Sequence, residues 1–281
     1  MKKIDKGIQF LQKNKELFQC PVCHSTFSGV EDGSLKCFHN HTFDVSKKGT
    51  VHFLMKQSKN DYSKELFENR YRISQAGLFD PILTEIYEKI SNREGAVLDI
   101  GCGEGSHLNK LSEMGLHGPK VGFDLSQAGI QMAAIHFDQA FWCVADLSQP
   151  PFASHAFDTL LNIFSPSNYQ EFKRMLKPRG QLIKVVPEEN YLIELRQHFY
   201  GDDEKKKSYS NQDVVSHFSL QFSDYETKRV TYTFKLNPEN LEDLLKMTPL
   251  SWSAEEEKLQ TLLKTGLEEI TVDVLLLIGI V

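Results

Sequence analysis

The chain has 281 residues, of which 40% are hydrophobic and 25% charged, and its formal net charge is −6. This composition fits a folded soluble protein with a sizeable core, and the acidic balance excludes a uniformly basic nucleic-acid-binding protein. Because the longest apolar run, VLLLIGIV, is too short to cross a bilayer and the charged start lacks the apolar core of a signal peptide, we expect a cytoplasmic protein that does not enter membranes.

The charge is unevenly distributed along the chain. Residues 1–60 contain ten Lys and Arg against five Asp and Glu, whereas the remainder contains 22 against 33. A basic segment in front of an acidic body favours either a polyanionic partner or a solvated charged face. The lysines considered as phosphate contacts are Lys36, Lys47, Lys48, Lys56 and Lys59.

A cysteine-rich module follows residues 1–18, which predict a short amphipathic helix or a loose extension. Cys20 and Cys23 form a C-x2-C pair, and Cys37 and His41 complete the pattern C-x2-C-x13-C-x3-H. Three thiolates and one imidazole suit tetrahedral zinc, and four protein ligands leave no position for water, so the site is expected to be structural. His41 gives the more usual spacing, and His39 is the alternative fourth ligand.

The rest of the chain predicts an α/β protein. After a linker, SKKGTVHFLMKQSKND, and two helical segments, buried apolar strands alternate with helices from AVLDI to GQLIKVV. This alternation predicts a mostly parallel sheet with helices on both faces. RVTYTFKL and LEEITVDVLLLIGIV predict last strands that run antiparallel at one edge, with a helical insert between them. We divide the chain into an extension and zinc-binding module at 1–55, a helical linker at 56–92 and the α/β domain at 93–281.

A glycine-rich turn directly follows the first α/β strand, in VLDIGCGEGSHL. Gly101, Gly103 and Gly105 alternate and open a helix, which lets the backbone approach a ligand closely. The spacing is G-x-G-x-G and differs from the G-x-G-x-x-G of dinucleotide sites. With Asp99 in front of it, the turn suits a cationic or zwitterionic ligand.

This stretch resembles the first motif of class I S-adenosylmethionine-dependent methyltransferases, and acidic residues end the next two strands as they do in that family. The resemblance implies that Asp124 contacts the ribose hydroxyls and that Asp146 and Leu147 contact the adenine. The cofactor contacts that it implies are Phe79, Asp99, Gly101, Gly103, Glu104, Gly105, Ser106, His107, Asp124, Leu125, Asp146, Leu147, Asn162 and Tyr191.

The zinc module in front of these motifs, together with AGLFDPI, FSP and MTPLSW, resembles the RlmA family of bacterial 23S rRNA guanine-N1 methyltransferases. That family often has Tyr at Phe79 and His at Tyr191. The resemblance implies zinc on Cys20, Cys23, Cys37 and His41, and a zinc module that helps to grip 23S rRNA. It also implies methylation of a guanine in a hairpin of domain II, near nucleotide 748 or 745, a link to macrolide-type antibiotic responses, and a possible homodimer.

No catalytic base can be identified from the sequence. The candidates near the mouth of the fourth strand are Asn162, Phe164, Pro166 and Tyr169, with Phe164 either a base-stacking platform or a core residue. Cys102 and Cys143 are expected to be small buried residues, and Ser167 stands where a C5-methylating enzyme would need a cysteine. The alternatives are a small-molecule methyltransferase and a non-enzymatic rRNA-binding adaptor.

Overall fold

The structure is a computed structural model that describes residues 1–55, 63–201 and 209–281. In chain order, its helices and strands are α1 Lys3–Lys13, β1 Phe27–Glu31, β2 Ser34–Cys37, β3 Thr42–Asp44, β4 Val51–His52, α2 Lys64–Gln75, α3 Asp80–Lys89, β5 Val97–Ile100, α4 Ser106–Glu113, β6 Lys120–Asp124, α5 Gln127–His136, β7 Phe141–Val144, β8 Phe157–Ile163, α6 Tyr169–Met175, β9 Leu176–Pro187, α7 Ile193–Tyr200, α8 Gln212–Gln221, β10 Asp224–Lys235, α9 Pro238–Met247, α10 Pro249–Trp252, α11 Glu256–Thr265 and β11 Glu269–Ile280.

An eight-stranded sheet has the order β10-β11-β9-β8-β5-β6-β7-β4. Its strands from β9 to β4 are parallel, and β11 is antiparallel to both β9 and β10, which confirms the predicted edge. Val97 and Leu98 belong to hydrophobic cores on opposite faces of the sheet, which explains why the strand sequences are continuously apolar. The chain leaves β5 toward β6 and later returns to its other side with β8, so a crevice opens at the carboxyl ends of these strands.

The N-terminal module forms a separate antiparallel sheet of β1, β2 and β3. Helix α1 confirms the amphipathic-helix interpretation and packs on the large domain, with the rings of Phe10 and Phe141 stacked 5.2 Å apart. Phe18 packs against Phe152 with ring centroids 5.7 Å apart. The module and the larger domain therefore share one apolar core on this face of the sheet.

Two segments interpreted as linkers have a more specific place in the fold. Val51 and His52 form β4, which pairs in parallel with β7 at the edge of the large sheet, so this part of the first predicted linker was wrong. Within residues 56–92, helices α2 and α3 pack on the large domain, and Tyr232 Oη donates a hydrogen bond to Leu78 O at 2.6 Å. The boundaries at residues 55 and 92 stay predictions. Among the described helices, none has the length and apolar character needed to span a membrane.

Candidate active site and metal centre

Four predicted metal ligands meet in the N-terminal module. The ligand atoms of Cys20, Cys23, Cys37 and His41 all lie within 4.8 Å of one another. The Sγ atoms of Cys23 and Cys37 are 3.8 Å apart, and His41 Nδ1 lies 3.4 Å from Cys37 Sγ and 3.6 Å from Cys20 Sγ. A tetrahedral zinc with Zn–S bonds of about 2.3 Å separates two sulfur ligands by about 3.8 Å, which is the distance between Cys23 Sγ and Cys37 Sγ, so the cluster has the size of a zinc site.

His41 is the histidine that the structure groups with the three cysteines, so it remains the predicted fourth ligand, ahead of His39. The hydroxyl of Ser25 lies 3.0 Å from Cys23 Sγ and lowers the pKa of Cys23 to about 5, whereas burial raises the pKa of Cys20 to about 11. Cys20 and Cys37 are buried, and Cys23 and His41 are half-buried. A closed set of four ligands would hold zinc as a structural ion, with no position left for catalysis.

The glycine turn lies at the carboxyl end of β5. Gly101, Gly103 and Gly105 have φ angles of 70°, 56° and 85°, in the left-handed region that favours glycine. A Cβ on Gly105 would lie 2.8 Å from side-chain atoms of Ala133 and Trp142, so only glycine fits between this turn and the sheet. The turn therefore presents bare backbone and the start of α4 to the crevice.

Asp124 holds the turn from the end of β6. Its Oδ2 accepts a hydrogen bond from Gly103 N at 2.9 Å, and its Oδ1 accepts one from Ser126 N at 2.7 Å. Burial raises the pKa of Asp124, although both backbone hydrogen bonds oppose that change. Asp124, the predicted contact of the ribose hydroxyls, thus binds both the glycine turn and the start of α5.

Polar atoms without partners concentrate around the turn. In the described ranges, eight buried side-chain nitrogen and oxygen atoms have no partner in hydrogen-bond geometry. Five of the eight belong to Arg70, Asp99, Glu104, Ser106 and His107. Two of these five, Arg70 Nε and Glu104 Oε2, form an ion pair at 3.1 Å outside hydrogen-bond geometry. Because an unpaired buried polar atom costs about 1–3 kcal/mol, the three remaining atoms, on Asp99, Ser106 and His107, fit a site whose ligand brings its own donors and acceptors.

The electrostatics favour a ligand with a positive group. Asp99 is 1% exposed, and burial, opposed by the attraction of Arg70, raises the pKa of Asp99 to about 7. Burial also lowers the pKa of His107 to about 3, so this imidazole is neutral at physiological pH. An ammonium or sulfonium group near Asp99 would compensate its buried charge. These residues therefore fit the zwitterionic cofactor of class I methyltransferases.

Aromatic side chains form a cluster beside the turn. Phe79 meets His107 edge to face with centroids 4.8 Å apart, and Phe164 lies 6.2 Å from Phe79 and 5.5 Å from Tyr191. The two residues at which the chain differs from the RlmA pattern, Phe79 and Tyr191, thus belong to one cluster. Phe164 has φ of 53° and is half-buried, which places it between the core and the crevice.

The loop after β8 is held from inside the protein. Asn162 is fully buried; its Nδ2 donates to Ser165 Oγ at 2.5 Å and to Pro166 O at 2.9 Å, and its Oδ1 accepts from Lys184 Nζ at 2.6 Å. Ser165 Oγ in turn donates to Ile100 O at 2.6 Å. Asn162 therefore positions the loop, and Pro166 is the exposed candidate on it.

One candidate at this mouth was wrong. Tyr169 is 7% exposed and packs among Phe172, Phe218 and Phe222, in the core between α6 and α8. Cys102 and Cys143 are buried as expected, and burial raises the pKa of both thiols, so neither supplies a thiolate nucleophile.

The loop after β7 joins the two sites. Asp146 Oδ1 accepts a hydrogen bond from Ser148 N at 2.8 Å, and Leu147 O accepts one from Asn168 Nδ2 at 3.2 Å. Gln149 Nε2, in the same loop, donates to Pro21 O between the first two zinc ligands at 2.8 Å. Leu125, after β6, is 38% exposed. The zinc-binding cluster therefore contacts the large domain at the carboxyl ends of the parallel strands, where the glycine turn also lies.

The predicted phosphate contacts have different surroundings. Lys36 forms an ion pair with Glu31 at 3.1 Å, Lys47 is exposed and Lys48 is half-buried. Lys56 and Lys59 lie outside the described residues. All five lysines stay predicted phosphate contacts, and Lys47 and Lys48 are those of the described residues for which no ion pair is found.

Sequence reasoning missed Arg70, Lys184 and Gln149. Lys184 is 5% exposed, and burial lowers its pKa to about 8. A lysine inside the apolar strand GQLIKVV was a usable signal, because an unpaired charge is rarely buried without a role. Arg70 and Gln149 had no local signal, since each reaches its partners only through the tertiary fold.

Comparison with known proteins agrees with both sites. Residues 91–260 match the family model "Methyltransferase domain", and residues 18–62 match "RlmA, N-terminal", a zinc ribbon. The chain is 44% identical to a Bacillus subtilis protein named "Putative 23S rRNA (guanine-N(1)-)-methyltransferase YxjB", over 94% of this chain and 96% of that one. It is 26% identical to the "23S rRNA (guanine(748)-N(1))-methyltransferase" of Streptomyces fradiae, over 91% and 94% of the two chains. The chain therefore belongs to the RlmA family of S-adenosylmethionine-dependent methyltransferases, in which a zinc ribbon precedes the methyltransferase domain.

Proposed function

We propose that the protein methylates N1 of a guanine in a hairpin of domain II of 23S rRNA, near nucleotide 748 or 745. The observation that carries this proposal is the 44% identity, over nearly the whole of both chains, to a relative named for that reaction. The Streptomyces fradiae relative is named for guanine 748. Such a substrate would be met in the cytoplasm, and a homodimer stays a prediction that analytical ultracentrifugation would test.

The arrangement of the two sites supports an RNA acceptor. The turn formed by Gly101, Gly103 and Gly105 would hold S-adenosylmethionine, which supplies an electrophilic methyl group when bound. Guanine N1 lies on the Watson–Crick edge, so the base must be unpaired or flipped into the crevice before transfer. Phe164, in the aromatic cluster at the mouth, is placed to stack on an entering base, and the buried Asn162 fixes its loop.

The zinc-binding module offers a second RNA contact. Phe38, directly after the ligand Cys37, is 69% exposed, which is unusual for a phenylalanine and suits stacking on an unpaired base. Lys47 and Lys48 follow on the same module and supply charge for phosphates. We propose that this module grips the hairpin while the crevice receives the guanine.

Transfer of radiolabelled methyl groups to ribosomal RNA from a strain that lacks this enzyme tests the proposal. The expected result is one labelled guanine in domain II of 23S rRNA, read as a single new stop in primer extension. Absence of label in rRNA, with the cofactor still bound, would reject the proposal and favour the adaptor. Label in a small metabolite would favour the small-molecule methyltransferase.

A further inference from the structure

Arg70 brings a positive charge from α2 to the glycine turn. A Cβ built on Gly103 would lie 3.4 Å from both the guanidinium carbon and Nη1 of Arg70, so the guanidinium packs directly over the turn. Its side chain is 22% exposed, and Nε lies 3.1 Å from Oε2 of Glu104, which is 1% exposed. The Nε edge thus faces a buried carboxylate, and the Nη1 atom faces the bare backbone.

Helix α2 is fixed by its neighbours, so the position of Arg70 is built into the fold. Arg72 Nε donates hydrogen bonds to Oδ1 and Oδ2 of Asp243, on α9, at 2.9 and 3.1 Å. Asn69 is buried, and its Nδ2 donates to Glu65 O at 2.7 Å. Ser63 caps the helix through a hydrogen bond from Leu66 N at 3.2 Å. An anchored helix holds its side chains in place before a ligand arrives.

The side chains around the turn are mostly acidic, so a carboxylate on the ligand needs a positively charged protein side chain beside it. The methionyl group of the cofactor carries an ammonium and a carboxylate at neutral pH. A carboxylate entering this site would meet the charges of Glu104 and Asp124 and, where it is ionised, of Asp99. His107 is neutral, and Lys110 pairs with Asp80 at 3.0 Å. Although burial opposes it, the attraction of Glu104, Asp124 and Asp99 raises the pKa of Arg70, which keeps it charged.

We propose that Arg70 receives the carboxylate of the methionyl group and thereby makes the site selective for a cofactor that has one. The planar guanidinium matches a carboxylate with two parallel hydrogen bonds, which lysine does not reproduce. Glu104 occupies the Nε edge and leaves the Nη groups for the ligand. The proposal rests on the cofactor's identity and is independent of RNA as the acceptor.

Isothermal titration calorimetry on the full-length, zinc-loaded protein tests this selectivity. The two ligands are S-adenosylhomocysteine and its decarboxylated analogue, which keeps the nucleoside, the thioether and the amine. Wild type is expected to bind S-adenosylhomocysteine about 10- to 100-fold more tightly than the analogue, the range of a charge-assisted pair. In R70A this preference is expected to disappear, with affinity for the analogue almost unchanged.

Two further variants keep the outcome clear. K110A removes a partly exposed cation on α4 whose partner is Asp80, and it should leave the preference intact. R70M keeps the apolar stem of the arginine and replaces R70A if that variant does not fold. A loss of affinity that is equal for the two ligands, or a preference that survives in R70A and R70M, would overturn the proposal. Binding is measured without RNA, so a failure here is distinct from a failure to methylate rRNA.

Discussion

The buried carboxylate of Asp99 is expected to destabilise the protein before the cofactor binds. Asp99 is 1% exposed, its Oδ2 has no hydrogen-bond partner, and burial raises its pKa to about 7. D99N keeps the shape of the side chain and removes its ionisation. If the carboxylate is costly in the folded state, the variant will be more stable than wild type at neutral and alkaline pH, although it loses a partner for the cofactor's ammonium.

The sign and size of the difference in unfolding free energy between D99N and wild type follow from proton linkage. The unfolded chain releases this proton near pH 4 and the folded protein near pH 7, so the folded state binds more protons between these values. The contribution of Asp99 to the unfolding free energy of the wild type is therefore most favourable below about pH 4, and it is lost as the pH rises to about 7. At about 1.4 kcal/mol per unit, the loss reaches about 4 kcal/mol above pH 7 and about 1.5 kcal/mol at pH 5.

Urea unfolding of both proteins, without cofactor and with zinc saturated, measures the difference. The gap in unfolding free energy should widen from about 1.5 kcal/mol at pH 5 to about 4 kcal/mol at pH 8. The pH dependence of the zinc site is common to both proteins and cancels. The control variant E257Q removes an exposed carboxylate on α11 and should show no such trend. A gap that is equal at the two pH values, or a variant less stable at pH 8, would refute the reasoning.

Three further changes test other parts of the molecule. C37S should lower the zinc content and weaken S-adenosylhomocysteine binding several-fold by calorimetry. The reason is that Gln149 ties the first pair of zinc ligands to the loop after β7. Unchanged affinity would show that the zinc cluster and the cofactor site are independent. F38A should raise KM for rRNA about 10-fold while that binding stays unchanged, and a parallel loss of both would argue for misfolding. G105A should lose about 3 kcal/mol in urea unfolding and G266A about 1 kcal/mol. Both glycines have positive φ, but only at Gly105 would a Cβ clash, so equal losses would contradict the packing argument.

The α/β order could be predicted because its signals are local. VLDI is apolar except for Asp99 and is followed by Gly101, and the later strands of the domain are also mostly apolar runs that alternate with helical segments. The grouping of Cys20, Cys23, Cys37 and His41 could be predicted because the four residues are close in the sequence, and the tertiary structure brings His41 to the three cysteines. Tyr169 was misplaced because its partners, Phe218 and Phe222, come from a helix about fifty residues later.

The site residues that sequence reasoning missed contact partners that are distant in the sequence. Arg70 lies in a segment interpreted as a linker, and nothing in the letters ENRYRISQ connects it with the glycine turn 33 positions later. Its role depends on how α2 packs against α9, which is a tertiary choice. Lys184 was visible as a charge in a buried strand, yet its hydrogen bond to Asn162 required the register of β8 and β9.

The position of the zinc module gives it a structural role in addition to the RNA binding that we propose for it. The segment at 17–21 runs along the loop at 149–153, with Gln19 N donating to Pro151 O at 3.1 Å and Ala153 N to Leu17 O at 3.0 Å. On its other side, this loop is held by Asn168, at the start of α6, through Leu147 O. The loop expected to contact adenine is therefore clamped between the zinc ligands and the segment that follows β8. Loss of zinc would loosen the cofactor loop as well as the module, so zinc dependence of methylation alone does not prove that the module binds RNA. The cofactor-binding measurement on C37S separates these two roles.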